Sequence, residues 1–378
     1  MRFSILILSF IVFSCSNKKN YKFELVKSDS ISIPIDENTS FISANTHYYN
    51  MNNESVFLFQ NPNMKDRLNE ILFFDIKSKI LLKKLVFSDR NGYFESINGF
   101  TPIGKDSLLL SNGLTDTLYI SDINAKILYK KYFSFGKDKD FMAQVVPFNS
   151  KPIKFIDNKI YFSKSIWQDN RNDFKKSNFI FSYDIKSDLF NRFKVYFPNE
   201  YIESEYFSNE ISYCFDEKNI IISPLNSHDI WIVDLKTQKL IKKEIKSDFF
   251  REFLKYSKEP VNDMQQGMFN NAFYSQYVNI VYDNYRKVYY RFFYPGINIK
   301  KEDKNLTNEY NHPKKMSIMV LDENFNKIGE QLFPNYDFKM DYFVAPDGLY
   351  INSNNEMNRN FKEDKLKYTK LILVKNEK

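Results

Sequence analysis

The side chains able to do chemistry in this chain are few and widely spaced. It has three histidines, His47, His228 and His312, and two cysteines, Cys15 and Cys214. Imidazoles can ligate a metal or relay a proton, yet nothing in this spacing makes the three meet. No His-Glu-x-x-His helix, Cys-x-x-Cys pair, Gly-x-Ser-x-Gly elbow or phosphate-cradling glycine loop occurs. No metal and no cofactor is therefore expected, and no catalytic residue can be named. Arg291 stands out in "RKVYYRFFY", where period-two alternation sets Tyr289, Arg291 and Phe293 on one face of a strand and Tyr290 and Phe292 on the other. Burying an arginine in a strand is costly unless it is paired. Arg291, with Arg286 nearby, must then meet either an anionic ligand or a neighbouring carboxylate. Trp167 is one of two tryptophans and lies in a long polar stretch. It can serve as a platform for a sugar or peptide, or fold under its own loop. The ligand-binding candidates are Trp167, Arg286, Tyr289, Arg291, His47, His228 and His312.

The N-terminus suggests where the chain works. In "MRFSILILSFIVFSCSNKKN", Arg2 precedes an apolar run from Phe3 to Phe13. That run falls short of the roughly 20 residues needed to cross a bilayer. A short apolar core behind a positive residue is the layout of a secretion signal. The cysteine after Ser14 resembles the lipobox of bacterial lipoproteins, although Phe13 is bulkier than the small residue usual there. Residues 1–14 are thus expected to be a signal peptide, Cys15 the lipidated residue, and 15–22 a tether holding the protein to the membrane of the cell envelope. A simple secretory signal is the alternative. With Cys15 lipidated, Cys214 in "ISYCFD" has no disulfide partner and should be a small buried hydrophobe.

Charge and composition exclude more than they assert. Net charge is +7, but acids and bases are interspersed without a basic stripe, so nucleic acid is not an expected partner. Aromatic residues make up 17% of the chain, with 38 Phe and 26 Tyr. Phe, Tyr, Lys, Asn and Ile share A/T-rich codons, so this richness says little about ligands.

Positioning elements are written in a repeat. "FFDIKSKILLKKLVF" from Phe73 recurs as "FSYDIKSDLFNRFKV" from Phe181, with further copies from Tyr119, Trp231 and Ile318. Each reads as strand, aspartate, polar turn, strand. The aspartates Asp75, Asp122, Asp184, Asp234 and Asp322 should accept backbone N–H bonds inside the turns. Two more strand candidates precede each hairpin, making units of four strands at spacings of about 40 to 50 residues, or longer where insertions fall. Six such units predict an all-β, six-bladed β-propeller over residues 23–378. Seven blades, or a pair of β-sandwiches, are the alternatives. The sixth unit lacks its outer strand, and "KSDSISIPID" from Lys27 is expected to supply it and close the ring.

The lipobox, the six degenerate blades and the stretch "YVNIVYDNYRKVYYRFFYPG" (Tyr277–Gly296) resemble the Bacteroidota propeller lipoproteins of the DUF4221 type. That resemblance implies a six-bladed fold and an envelope address; it implies no activity.

In such a ring the long B–C and D–A connections crowd one face, and Arg291 would have the central channel as its route to an anion. Insertions are expected at 60–70, 134–150, 163–177, 246–272, 295–315 and 352–367. Within the fourth, "SDFFREFLKYSKEP" predicts an amphipathic helix capped by Ser247. Function concentrates on loops held by a rigid scaffold, so this face is the expected binding surface. Two classes of function remain open. One is a binding module for a glycan, peptide or protein partner. The other is a glycan-active hydrolase or lyase with its site at the channel mouth.

Overall fold

A computed structural model describes residues 21–43, 45–51, 53–63, 68–87, 97–112, 117–133, 148–163, 171–257 and 263–376. The signal sequence, Cys15 and Trp167 lie outside the described residues. Strand β1 (Phe23–Pro34) opens the chain but belongs to the last blade. Blade one follows as β2 (Thr46–Met51), β3 (Glu54–Asn63), β4 (Leu68–Asp75) and β5 (Leu81–Phe87). Blade two is β6 (Gly99–Ile103), β7 (Ser107–Asn112), β8 (Thr117–Asp122) and β9 (Ile127–Tyr132). Blade three is β10 (Lys154–Ile156), β11 (Lys159–Ser163), β12 (Ile180–Asp184) and β13 (Leu189–Arg192). After the short helix α1 (Asn199–Glu203), blade four is β14 (Ile211–Phe215), β15 (Asn219–Pro224), β16 (Asp229–Asp234) and β17 (Leu240–Glu244). Helix α2 (Met264–Phe273) leads into blade five: β18 (Gln276–Asp283), β19 (Val288–Tyr294), then helix α3 (Leu306–Asn311), β20 (Met316–Leu321) and β21 (Lys327–Phe333). Blade six is β22 (Tyr342–Ala345), β23 (Gly348–Asn352) and β24 (Lys365–Lys375), with β1 as its outer strand. The protein is a six-bladed β-propeller, and the count of seven falls away.

The repeat works as its residue types require. In the C–D hairpins the marker carboxylates accept backbone N–H bonds: Asp122 from Asn124 and Lys126 at 2.8 and 2.9 Å, Asp184 from Lys186 and Ser187 at 3.0 and 3.1 Å, and Asp322 from Asn324 and Asn326 at 2.9 and 2.8 Å. Asp75 and Asp234 do the same for Ser78 and Lys236. Each turn also forces one residue into the left-handed region, namely Lys79, Ala125, Asp188, Gln238 and Phe325, with φ between 55° and 65°. None of these is glycine, so the carboxylate stabilises a conformation that L-residues resist.

Ring closure falls where the missing strand predicted it. β1 pairs antiparallel with β24 from Phe23↔Lys375 to Pro34↔Lys365, with a bulge between Lys27 and Ser30. The faces of each blade pack on its neighbours, and the abundant aromatics fill these seams. Phe57 of blade one stacks on Phe343 of blade six at 4.7 Å, and Phe292 of blade five on Tyr342 at 4.9 Å.

Two insertions differ from expectation. Residues 60–70 are largely strand: β3 and β4 stay paired out to Asn63↔Leu68, a lengthened ribbon in place of a loop. Residues 247–257 carry no helix. Ser247 Oγ accepts from Phe249 N at 3.1 Å and donates to Glu330 of blade five at 2.5 Å, and Phe250 N donates to the Ser247 carbonyl at 3.4 Å, so the chain makes a single turn in place of a helix. Phe249, Phe250 and Phe253, whose spacing mimicked a helix face, instead enter the blade four–five core. Tertiary burial outweighs the weak local preference for helix. The helix of this insertion is α2, where Asp263 caps by accepting from Gln265 N at 2.9 Å. No helix among the described residues is long and apolar enough to cross a membrane.

Candidate functional site

Arg291 meets neither an anion nor a carboxylate. It is fully buried in the seam between blades four and five. Nε donates to Ser223 Oγ at 2.9 Å, Nη1 to the His228 and Ile245 carbonyls at 2.8 and 3.1 Å, and Nη2 to the Ser227 and Asp229 carbonyls at 2.8 and 3.2 Å. Its guanidinium lies 3.6 Å from the Tyr277 ring centroid. Burial lowers its pKa to about 10, still well above neutrality. The geometry explains the misplacement. Arg291 sits on the second strand of its blade, whose faces look at neighbouring blades, and inner-strand residues line the channel.

Arg286 and Tyr289 are structural as well. Arg286 donates to Asp283 and to the Ala345 and Pro346 carbonyls, both at 2.9 Å, joining the A–B turns of blades five and six. Tyr289 donates to Asp216 at 2.6 Å across the four–five seam.

The histidines lie on three separate elements. His47 Nε2 donates to the Phe100 carbonyl at 3.0 Å, and burial, with the Lys154 ammonium adding to it, lowers its pKa to about 4. His228 Nδ1 is 2.8 Å from the Tyr277 hydroxyl, its ring is packed on Phe250 and Phe253, and burial likewise lowers its pKa to about 4. His312 Nδ1 lies 3.0 Å from Glu356. Among the described residues no group of three or more His, Cys, Asp or Glu is arranged to hold a metal. Cys214 is buried and free, and burial pushes its thiol up.

The described end of the connection from blade two to blade three, part of the expected 134–150 insertion, lies against inner strands at the central channel. Asn149 Nδ2 donates to Thr46 Oγ1 at 3.0 Å and to the Tyr342 carbonyl at 2.8 Å, and the Tyr342 hydroxyl donates to the Asn149 carbonyl at 2.9 Å. The Ser150 carbonyl accepts from Tyr213 N of blade four at 2.9 Å. Beside this contact lies a cavity of about 310 Å³ walled by the inner strands. His47, Lys154 and Cys214 reach it, and it extends to Asn284 and Tyr285 in the A–B turn of blade five.

A larger pocket, of about 570 Å³, opens on the loop-rich face where blades five, six, one and two converge. Tyr294 and Tyr310 of blade five stand on its wall with Ile42, Pro313 and Met340; Asn45, Gln60, Asn98 and Asn311 supply amides. The framework is rigid. Asn45 Nδ2 donates to Gln60 Oε1 at 2.9 Å, and Gln60 Nε2 to the Ile97 carbonyl at 3.1 Å. Asp341 at its edge accepts from Thr46 Oγ1 at 2.8 Å, Asn352 Nδ2 at 3.0 Å and the Tyr368 hydroxyl. The wall bearing Tyr310 is braced by α2, which packs on α3 through Ala272, Ile299 and Leu306. At that junction Gly296 has φ of 72°, and a Cβ there would lie 2.1 Å from the Phe273 carbonyl oxygen, so only glycine fits. The Tyr294 hydroxyl has no hydrogen-bond partner among the described residues, and burial pushes the phenol up. Apolar rings beside convergent amides are the chemistry of a small-molecule or sugar pocket.

A further cleft of about 510 Å³ flanks blade four, with Trp231, Tyr201 and Phe253 on its wall and Asp229 and Glu244 on its rim. Burial, then repulsion from Glu244, pushes the Asp229 carboxyl up.

The fold is thus a closed, six-bladed β-propeller. The chain belongs to the family described as "Domain of unknown function (DUF4221)", whose family model matches residues 22–332. It is similar over 95% of its length to all of a DUF4221 member from Bacteroides vulgatus solved by crystallography, with a TM-score of 0.80 and 20% identity. A Bacteroides fragilis protein described as exported is more distant, with a TM-score of 0.53 and 10% identity over 94% of this chain and 96% of that one. No functionally curated protein matches the chain.

Sequence reasoning named the loop-rich face but not its pocket residues. Tyr294 lies in the stretch that carries the family resemblance, and Tyr310 inside a recognised insertion, so both were within reach. Lys154 and Asn149 had no signal: one is among 54 Lys and Arg residues, and the other sits in an unremarkable polar loop.

Proposed function

We propose that this protein is an exported envelope lipoprotein, anchored through Cys15, whose propeller binds a glycan or a glycan-bearing partner in the pocket of the loop-rich face. The observation that carries the reading is the pairing of Tyr294 and Tyr310 with the amides of Asn45, Gln60, Asn98 and Asn311 around one pocket. Sugar rings offer apolar faces to stack on tyrosines and hydroxyls to bond with amides. The unpartnered Tyr294 hydroxyl is then available to the ligand. A likeness to an exported Bacteroides protein supports the address. The hydrolase or lyase alternative is less well supported. Asp341 is the one carboxylate among the described residues lining this pocket, and its oxygens are occupied by Thr46, Asn352 and Tyr368.

A glycan array followed by thermal shift tests the reading. A ligand at a hundred times its dissociation constant adds about 2.7 kcal/mol, enough to raise the midpoint by a few degrees. Tyr294→Ala and Tyr310→Ala should abolish that rise; Tyr310 is exposed and its variant should keep the parent midpoint, whereas Tyr294 packs on the core, so the rise in its variant is read from that variant's own unliganded midpoint. A glycan that still binds the double variant would place the site elsewhere. Intact-mass analysis should find a diacyl or triacyl adduct on the chain, absent from Cys15→Ala.

A further inference from the structure

Among the described residues lining the channel cavity, Lys154 is the one Lys or Arg, and none is Asp or Glu. Its side chain is exposed where it stands at the cavity. It makes no hydrogen bond or salt bridge with any described residue, whereas Lys27, Lys84, Lys131, Lys287 and Lys327 all have carboxylate partners. The remaining polar groups around the cavity are mostly spent on one another. His47 Nε2 is used by Phe100, Asn149 Nδ2 by Thr46 and Tyr342, and Thr46 Oγ1 by Asp341 and Tyr342. A second orphan stands on the neighbouring inner strand: Thr101 Oγ1 is buried with no hydrogen-bond partner among the described residues. The rest of the wall is apolar or aromatic, including Pro102, Ile153, Phe215, Val281, Phe343 and Val344.

We propose that the channel cavity is a binding site, separate from the loop-rich pocket, for an apolar-bodied monoanion of the aromatic or short aliphatic carboxylate class. The Lys154 ammonium pairs with the carboxylate, the Thr101 hydroxyl donates to it, and the hydrocarbon body lies against Phe215, Val281 and Phe343. The size fits, since about 310 Å³ is at the lower end of small-molecule pockets. The charge fits too, because among the described lining residues Lys154 is the one cation and no carboxylate stands beside it, so an entering monoanion meets an ammonium without a rival partner. Desolvation lowers the Lys154 pKa below its ordinary value. A phosphate fits poorly, as it carries more charge and more acceptors than one ammonium and one hydroxyl satisfy.

Isothermal titration of the full chain with phenylacetate, hexanoate, phenylacetamide and inorganic phosphate tests this. Saturable one-site binding of phenylacetate and hexanoate is expected, at least tenfold weaker for the uncharged phenylacetamide and absent for phosphate. Lys154→Met should weaken carboxylate binding at least tenfold, Lys154→Arg should retain most of it, and the Tyr294→Ala, Tyr310→Ala double variant should leave it unchanged. An unchanged thermal midpoint for Lys154→Met separates loss of the site from loss of the fold. Carboxylates that do not bind, that bind Lys154→Met equally well, or that bind no better than the amide or phosphate would overturn the proposal. Loss of binding in the tyrosine variant alone would assign the site to the loop-rich pocket instead.

Discussion

The seam between blades four and five buries a cation, the central channel leaves one exposed, and the two are treated in opposite ways. Arg291 in the seam donates to one hydroxyl and four carbonyls and covers its remaining face with Tyr277. Lys154 in the channel has no hydrogen-bonding partner among the described residues and faces a cavity. The first charge is complete without a ligand and belongs to the architecture. The second is incomplete, and incompleteness is the better guide to function. Rarity of residue type misleads here: an arginine in a strand attracts notice, whereas a lysine among many does not.

The largest effect should come from breaking the completed cation. Arg291→Ala takes a donor from Ser223 Oγ and from four carbonyls, of which those of His228 and Ile245 keep a second donor, and each buried acceptor left unsatisfied costs about 1–3 kcal/mol. Denaturant unfolding should show a loss of that size, or no soluble protein. Lys154→Met should lie within about 0.5 kcal/mol of the parent, since the side chain is exposed and makes no hydrogen bond or salt bridge with a described residue. Equal losses would mean that both cations are structural and would dissolve the contrast.

A middle-sized effect compares the two regions through their histidines. His47 lines the channel and His228 the seam cleft, and burial lowers both pKa values from 6.5 to about 4. Between those values the unfolded chain binds more protons than the folded one, so each neutral histidine contributes stability that is fully present above about pH 6.5 and lost as pH falls towards 4. Discounted for partial access to water, each histidine contributes about 1–2 kcal/mol. Thermal melts from pH 7.5 to 4.5 should fall across that window, and His47→Gln and His228→Gln should each flatten part of the fall. A melt as steep in the double variant would assign the acid sensitivity to carboxylates.

The smallest effect lies away from both regions and checks the hairpin account. Ala125 holds φ of 65° in a C–D turn and is half-buried against the blade one–two core. Ala125→Gly should raise stability by about 0.5–1 kcal/mol, the left-handed cost of about 1–2 kcal/mol less the extra backbone entropy glycine loses on folding. A loss would show that the turn is not strained.

How much was legible follows from the range of each interaction. The hairpins were legible because each marker aspartate bonds residues two to four positions on, as Asp122 does with Asn124 and Lys126. Closure was legible because counting strands left one unit short. The helix expected over 247–260 failed because the Phe spacing carries the period and not the partner: Ser247 reaches Glu330, 83 residues away. Alternation placed Arg291 on the correct face of its strand but could not say what lay opposite. The loop contact at the channel was hidden for the same reason, since Asn149 bonds Thr46 and Tyr342, 103 and 193 positions distant.

The pairing of β1 with β24 also orders events in time. During synthesis the first strand emerges at once, while its partner arrives only when nearly the whole chain has been made. Contacts of this sequence separation are the slowest to form. Until then β1 is an unpaired edge, and its sequence suits the wait: Leu25, Ile31 and Ile33 are its only buried apolar side chains, and Lys27, Ser28, Asp29 and Ser30 between them are exposed. Charged and polar edges resist pairing with other chains. The last blade thus acts as a clasp that snaps shut once, at the end. The same clasp should be the first place to open when the ring unfolds, exposing the strand that stayed soluble while it waited.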